Sequence, residues 1–177
     1  MQRTLLRFEN LQQVVGSEEL SVIMLTDEPR KRLLTVVCDQ DMTRQLHLRL
    51  KRPDICRAML PEVLLQLLPS HYEMLIVGIY DGQYQVLLMD IESGVSVRLR
   101  MSDAVLLSVI SNVPLYIEER LMQQQSAPFD EQAKGVAIPI NTMDMQRLKR
   151  CLDHAVEEEN YELASQLRDE IKRRKNP

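Results

Sequence analysis

The chain contains few cysteines and histidines, and their spacing excludes the common metal and disulfide frameworks. Its three cysteines, Cys38, Cys56 and Cys151, are odd in number and form no Cys-x-x-Cys pair, and its three histidines are equally scattered. Zinc ribbons and disulfide scaffolds need ligands in closely spaced pairs, so we expect neither. Widely spaced free thiols are typical of a reducing compartment, and we therefore expect a cytoplasmic protein.

Long apolar runs and aromatic residues are also lacking. The longest apolar run, residues 74–79, is too short to cross a bilayer, and the first residues lack the charged-then-apolar pattern of a signal peptide. We therefore expect no membrane partner. The sequence has no tryptophan and only two phenylalanines. Rings on which nucleic-acid bases could stack are therefore scarce.

Positive charge is not in excess, because the formal net charge is -4. A nucleic-acid site would therefore need a local cluster of cations that contact phosphates. Residues 30–32 form one such cluster. The alternative is that these cations belong to the solvated face of a turn and a helix. A larger cluster, which we predict as a nucleic-acid-binding surface under the same alternative, consists of Arg44, Arg49, Lys51, Arg52 and Arg57.

The hydrophobic pattern predicts an α+β domain in which a β-β-β-α-α unit occurs twice. Residues 20–25 and 32–38 flank a good turn sequence and predict an antiparallel pair, after which Asp39 is placed to cap a helix. In the second half, Asp81-Gly82 predicts a tight hairpin between two apolar runs. The order of elements repeats although the residues do not, so we predict a duplicated, compact mixed domain.

The stretch 95–121 changes its period three times. Val95, Val97 and Leu99 alternate with polar residues and predict a strand with one face on the core. Ser102 is placed to cap a short buried helix, and Pro114 ends that helix before a brief strand at 115–117.

Part of this stretch resembles a known family. Residues 100–104, Arg-Met-Ser-Asp-Ala, are followed by an apolar helix and by Val-Pro-Leu-Tyr-Ile-Glu-Glu at 113–119. This arrangement resembles the bifunctional nuclease family, although Met101 replaces the usual proline. The resemblance extends more weakly upstream to about Leu20. It implies a duplicated α+β domain and a nuclease activity on DNA and RNA.

Under that resemblance, the candidate catalytic residues are Arg100, Ser102 and Asp103. A helix start with a neighbouring arginine can bind an anion, as hydrolysis of a phosphodiester requires. The alternative is structural: Ser102 caps the helix, Asp103 complements its dipole, and Arg100 pairs with Asp103. Most nucleases use a carboxylate-held divalent ion, so Mg or Mn is the cofactor that the resemblance implies. No ligand cluster for either ion is evident in the sequence.

We place the predicted domain at residues 1–125. Residues 126–141 predict a linker, because proline, glycine and serine interrupt the hydrophobic pattern there. Residues 142–177 predict an antiparallel helical hairpin. Asn141 or Thr142 would cap its first helix, and Asn160 would adopt the left-handed conformation at the reversal. The hairpin is electrically neutral, which makes it a poor candidate for binding phosphate.

This hairpin resembles the UVR motif of nucleotide-excision-repair proteins, which is found also in some protease-associated proteins. The resemblance implies protein docking, because so small a pair of helices buries little apolar surface alone. The alternative is a purely intramolecular helical cap. The predicted partner-binding residues are Leu152, Ala155, Tyr161, Ala164, Leu167, Arg168, Asp169 and Ile171.

Two functions remain open from the sequence. In the first, a metal-assisted nuclease is brought to its place of action by the hairpin. In the second, the domain is a non-catalytic binding or oligomerisation module, and the hairpin recruits DNA-repair or proteolysis partners. Edge strands of a small sheet favour self-association, so we also expect a homo-oligomer, most simply a dimer.

Overall fold

The computed structural model describes residues 2–13, 20–67, 71–131 and 138–175. The strands in these ranges are β1 (Arg3–Gln13), β2 (Leu20–Asp27), β3 (Arg32–Asp39), β4 (Tyr72–Tyr80), β5 (Gln83–Asp90), β6 (Ser96–Arg100), β7 (Leu115–Glu118) and β8 (Ala127–Pro128). The helices are α1 (Gln40–Lys51), α2 (Pro53–Cys56), α3 (Leu60–Leu67), α4 (Met101–Ile110), α5 (Glu119–Gln125), a 3-10 helix (Ile140–Thr142), α6 (Met145–Glu157) and α7 (Tyr161–Lys175). None of the helices in the described ranges has the length and apolar character needed to span a membrane.

The strands form a single sheet in the order β6-β5-β4-β7-β1-β2-β3-β8. Two antiparallel meanders, β1-β2-β3 and β4-β5-β6, are each followed by a helix, α1 and α4 respectively. Strand β7 connects them, because it pairs antiparallel with β1 and parallel with β4. The structure therefore confirms the α+β class. The order β-β-β-α occurs in both halves, but β7 separates α4 from α5, so the predicted β-β-β-α-α unit does not repeat in full.

The two predicted hairpin connections are confirmed by the strand pairing. Strands β2 and β3 pair antiparallel from Thr26 opposite Leu33 onward. In the β4–β5 turn, Tyr80 pairs with Gln83, and the two residues between them have φ angles of 47° and 76°. A two-residue link with both residues in the left-handed region is the type I′ turn, whose twist matches that of antiparallel strands. This turn projects Gly82 toward the C-terminal hairpin.

The core lies between one face of the sheet and the helices α1, α4 and α5. Ile76 and Ile117, on neighbouring strands, are fully buried there. Leu46 of α1, Ala104 of α4 and Met122 of α5 are also fully buried in the same cluster. Complete burial of each large side chain contributes about 1.5–3 kcal/mol. The core therefore fixes the starts of α1 and α4 against the sheet.

Two local predictions for the stretch 95–121 need correction. Val95 and Val97 are 62% and 54% exposed, whereas Leu99, the third residue of the predicted face, is half-buried and packs against the core. Strand β6 lies at the edge of the sheet, and among the described residues the core covers its apolar face only at the Leu99 end. The helix α4 begins at Met101, and Ser102 lies inside its first turn instead of capping it. The expected homo-oligomer stays a prediction, for which the open edge of β6 is a candidate surface.

The C-terminal hairpin is confirmed, with corrections at its two ends. Helices α6 and α7 pack through a seam made by Leu148, Ala155, Ala164, Leu167 and Ile171. Asp144 caps α6, instead of Asn141 or Thr142, which lie in the preceding 3-10 helix. At the reversal, Glu159 has the left-handed φ of 56°, and the Asn160 side chain accepts a hydrogen bond from the Leu163 amide at 3.2 Å.

Arg174, near the end of α7, holds the hairpin against the segment that precedes it. Its Nη1 donates to the Met143 carbonyl at 2.6 Å, its Nη2 to the Asn141 carbonyl at 2.9 Å, and its Nε to Glu170 at 2.7 Å. Gly82 approaches the same place. A Cβ at Gly82 would lie 2.6 Å from the Met143 carbonyl oxygen. The β4–β5 turn and the hairpin are therefore in direct contact.

Candidate functional site

A cleft of about 340 Å³ with a mixed polar and apolar lining lies between the sheet domain and the hairpin. The end of β3, the β4–β5 turn, the start of α4 and the start of α6 form its walls. Its volume is within the usual range for small-ligand sites. Its lining includes the polar residues Asp39, Tyr84, Arg100, Ser102, Asp144 and Arg147.

Three helices begin at this cleft, and only one of them lacks a capping side chain. The Asp39 carboxylate accepts the amide of Met42 at 2.8 Å, which caps α1 as predicted. The Asp144 carboxylate accepts the amide of Arg147 at 2.7 Å and caps α6. Helix α4 has no side-chain cap. The first-turn amides of α4 therefore retain the positive end of the helix dipole, which favours an anion.

Two buried donors at the cleft have no partner within the described ranges. The Tyr84 side chain is 6% exposed, and its hydroxyl makes no hydrogen bond. Burial raises the pKa of Tyr84, so this hydroxyl stays neutral. Nη1 of Arg147 is buried as well and also makes no hydrogen bond. A buried donor without an acceptor costs about 1–3 kcal/mol, so these groups require an explanation.

Arg100, Ser102 and Asp103 lie together at the start of α4. Arg100 forms a two-bond ion pair with Asp103, in which Nε lies 2.7 Å from Oδ2 and Nη2 lies 3.1 Å from Oδ1. This pairing raises the pKa of the Arg100 guanidinium. Arg100 remains 75% exposed, so a ligand can compete for it. The Arg100–Asp103 pair that the structural alternative requires is thus present, whereas the Ser102 cap is not.

A divalent metal ion has no evident ligand set in the part of the chain that the structure describes. No group of three histidine, cysteine, aspartate or glutamate side chains converges there. The two carboxylates at the cleft, those of Asp39 and Asp144, each accept a helix amide. The described residues therefore contain no preformed three-ligand cluster for Mg or Mn, and this cofactor stays a prediction.

The predicted nucleic-acid-binding cluster loses one of its members. Arg49 is buried, and its guanidinium pairs with Glu62, with Nε 2.6 Å from Oε1 and Nη2 3.0 Å from Oε2. This ion pair connects α1 to α3, so Arg49 is not free to contact phosphate. The other four members are exposed on α1 and the segment after it: Arg44, Lys51, Arg52 and Arg57.

The basic run at residues 30–32 is not a free patch either. Arg32 lies between two acidic groups, with Nε 2.9 Å from the Asp27 carboxylate and Nη1 2.7 Å from the Glu119 carboxylate. Arg30 pairs with Glu9 at 2.6 Å and with Glu131 at 2.7 Å. The sequence did not indicate this network, because Glu119 is remote in the chain. The network ties the β2–β3 turn to α5.

The eight predicted partner-binding residues divide into three groups by their exposure. Four are buried in the seam of the hairpin, where a partner can reach them only if the helices separate: Ala155, Ala164, Leu167 and Ile171. Leu152 is half-buried. Tyr161, Arg168 and Asp169 are exposed. These three are therefore the members that an intact hairpin can present to another protein.

Sequence reasoning did not identify Tyr84, Asp144 or Arg147 as site residues. The aspartate carries a recognisable signal, since a capping residue precedes a helical pattern. The other two residues carry no such signal, because Tyr84 occupies an ordinary apolar position of a strand and Arg147 is one of several cations in a neutral hairpin. Only the packing of the hairpin on the β4–β5 turn brings them to the same cleft.

The fold and the cleft define a two-part protein, in which a mixed α+β domain shares a cleft with a C-terminal helical hairpin. Comparison with known families agrees with this division. Residues 22–130 match the bifunctional nuclease domain, and residues 145–176 match the UvrB/uvrC motif. The first match covers more than half of the chain, which therefore belongs to the bifunctional nuclease domain family. The chain has no match among curated proteins.

Proposed function

We propose that this protein is a nuclease that acts on DNA, RNA or both, and that its hairpin docks it to another protein. The observation that carries the proposal is the uncapped start of α4, which opens into a cleft beside Arg100 and Arg147. Membership of the bifunctional nuclease domain family supports the reaction class.

The proposed chemistry uses the three residues at the start of α4. Hydrolysis of a phosphodiester requires stabilisation of the charge on the phosphate and orientation of a water molecule. Arg100, released from Asp103, contacts the phosphate together with the first-turn amides of α4. Ser102 hydrogen-bonds the phosphate, and the freed Asp103 carboxylate orients the water. Because the described residues contain no preformed three-ligand cluster, Mg and Mn are tested as variables of the assay.

The proposed docking role rests on the exposed part of the hairpin. The UvrB/uvrC match supports a protein-binding module. Tyr161 is 70% exposed at the start of α7, and Arg168 and Asp169 are exposed further along the same helix. Tyrosine and arginine are common anchors of protein interfaces. The resemblance to the UVR motif favours a DNA-repair or proteolysis component as the partner.

A second candidate function is non-catalytic binding. The Arg100–Asp103 ion pair favours it, because both groups already have a partner. In that case the cleft holds a ligand without hydrolysing it, and the hairpin recruits the other protein. The two candidates differ in whether purified protein cleaves nucleic acid.

The double variant Arg100→Ala, Asp103→Asn is expected to cleave nucleic acid about 100-fold more slowly than the wild type. Removal of a single group that stabilises charge in a transition state lowers the rate by about that factor. The assay uses end-labelled single-stranded DNA and RNA with Mg, with Mn, and with a chelator. Circular dichroism checks that the double variant is folded.

Arg98→Ala is the matched control, because Arg98 is an exposed arginine of β6 that does not line the cleft. We expect this variant to cleave at the wild-type rate. Equal residual cleavage by the wild type and the double variant would indicate a contaminating enzyme and would favour the non-catalytic candidate.

A further inference from the structure

The unused polar groups at the cleft share one property, which is that they can all donate a hydrogen bond. Nη1 of Arg147 is a charged donor, the Tyr84 hydroxyl is a neutral donor, and the first turn of α4 offers amides without a capping side chain. Arginine has no acceptor atom, so Arg147 requires a ligand that brings one. A ligand rich in acceptor oxygens matches all three groups.

The acidic residues at the cleft do not alter this conclusion. Asp39 and Asp144 each accept an amide of their own helix, at 2.8 and 2.7 Å. Nη1 of Arg147 has no hydrogen-bond partner among the residues that the structure describes, these two carboxylates included. Each carboxylate also lies at the positive end of a helix dipole, which offsets part of its charge. The buried Nη1 of Arg147 therefore lacks an acceptor.

We infer that the cleft is a phosphate-binding subsite that the hairpin completes with Arg147, and that Tyr84 and the start of α4 supply its other donors. The ligand class is a phosphate group, either of a nucleic-acid backbone or of a small phosphate compound. This inference rests on the proposed nuclease function in that it extends the same site. It goes further by assigning a phosphate contact to the hairpin, which is electrically neutral as a whole.

The attachment of the hairpin explains how Arg147 keeps its place. Arg174 fixes the segment before α6 through the carbonyls of Asn141 and Met143, and Gly82 lies against the same Met143 carbonyl. Arg147 follows within one turn of α6. Its guanidinium is therefore positioned before a ligand arrives, and such preorganisation lowers the cost of binding.

Titration of the full chain with inorganic phosphate tests the subsite. In ¹H–¹⁵N spectra recorded without divalent ions, we expect saturable shifts of the Arg147 Nε–H signal and of the amides of Met101 and Asp103. Arg147→Gln is expected to weaken phosphate binding about tenfold or more, because it removes a charge-assisted hydrogen bond. Tyr84→Phe, which keeps the buried ring, is expected to weaken it about threefold, as loss of one neutral hydrogen bond predicts.

Two matched controls accompany these variants. Arg150→Gln changes an exposed arginine of α6, and Tyr80→Phe changes an exposed tyrosine at the end of β4. Neither is expected to change phosphate affinity. The inference is overturned if phosphate produces no saturable shift, or if Arg147→Gln binds phosphate as the wild type does.

The outcomes also separate this inference from the proposed nuclease function. Phosphate binding that depends on Arg147, without any cleavage of nucleic acid, supports the subsite and counts against the nuclease. If the wild type cleaves nucleic acid and Arg147→Gln binds phosphate with wild-type affinity, the nuclease function is supported and the subsite is overturned. A second titration with an oligonucleotide that lacks terminal phosphates identifies the source of the phosphate. Binding of this oligonucleotide indicates a backbone phosphate, and binding of inorganic phosphate alone indicates a small phosphate compound.

Discussion

Replacing Arg32 with methionine is expected to lower the free energy of unfolding by about 2 kcal/mol, between the values for exposed and for buried ion pairs, because the Arg32 side chain is 30% exposed. Arg32 donates to Asp27, Glu119 and Thr4, and the Nη2–Thr4 Oγ1 distance is 3.2 Å. Asp27 is only 2% exposed. Without the arginine, two carboxylates remain close together in a poorly hydrated place. Urea denaturation of the two proteins measures the difference.

Arg7→Met is the control for this substitution. Arg7 also pairs with a carboxylate, Glu28 at 3.2 Å, but both side chains are more than 60% exposed. Exposed ion pairs contribute about 0–1 kcal/mol, so this variant is expected to unfold nearly as the wild type does. If Arg32→Met lost no more stability than Arg7→Met, the Arg32 network would not stabilise the fold.

The same network makes the protein sensitive to acid. The Arg32 guanidinium, with help from the Thr4 hydroxyl, lowers the pKa of Glu119 from 4.5 to about 2. A carboxyl group with a lowered pKa stabilises the folded state fully above its unfolded pKa, and this contribution is lost as pH falls through the folded pKa. Wild-type stability should therefore decrease between about pH 4.5 and pH 2, and Arg32→Met should show a smaller decrease over that window.

Gly82→Ala is expected to lower the free energy of unfolding by about 2–4 kcal/mol through two separate effects. The backbone of Gly82 has a φ of 76°, a region in which a Cβ costs about 1–2 kcal/mol. The added Cβ would also lie 2.6 Å from the Met143 carbonyl oxygen and 2.9 Å from Nη1 of Arg174. A backbone carbonyl cannot swing away as a flexible side chain can, so the hairpin must shift.

Gly94→Ala separates these two effects. Gly94 has a similar φ of 71°, and a Cβ there would have open space around it. The conformational cost should therefore be nearly equal in the two variants, and the additional loss in Gly82→Ala should report the contact with the hairpin. Shifts of the Met143 and Arg174 amides only in Gly82→Ala would locate the disturbance. Equal stability losses would show that the β4–β5 turn does not support the hairpin.

Local signals in the sequence were sufficient for the parts of the fold that short segments decide. The Asp81-Gly82 pair specified a type I′ turn, because few residues accept two successive left-handed conformations. Asp39 specified the start of α1 for a similar reason, since its short carboxylate reaches the first-turn amides. The seam of the hairpin followed from its three- and four-residue spacing.

Predictions that required knowledge of the neighbouring elements were less successful. The alternation at Val95, Val97 and Leu99 showed that this segment has an apolar face, but it could not show that the core covers only the Leu99 end of that face. The charge of Arg49 suggested a surface position, but its partner Glu62 is 13 residues away, on a helix whose packing the sequence does not determine. The cleft was beyond prediction for the same reason, because Tyr84 and Arg147 come from separate parts of the chain.

We propose that the domain and the hairpin together form one site that acts on phosphodiesters. The most direct test compares the nucleic-acid cleavage rates of full-length Arg147→Gln and Arg150→Gln, after both are shown to be as stable as the wild type. We predict that Arg147→Gln loses about tenfold or more in rate, as removal of one charged phosphate contact implies, while Arg150→Gln retains the wild-type rate. Equal rates in the two variants, or no cleavage by the wild type with either Mg or Mn, would contradict the claim.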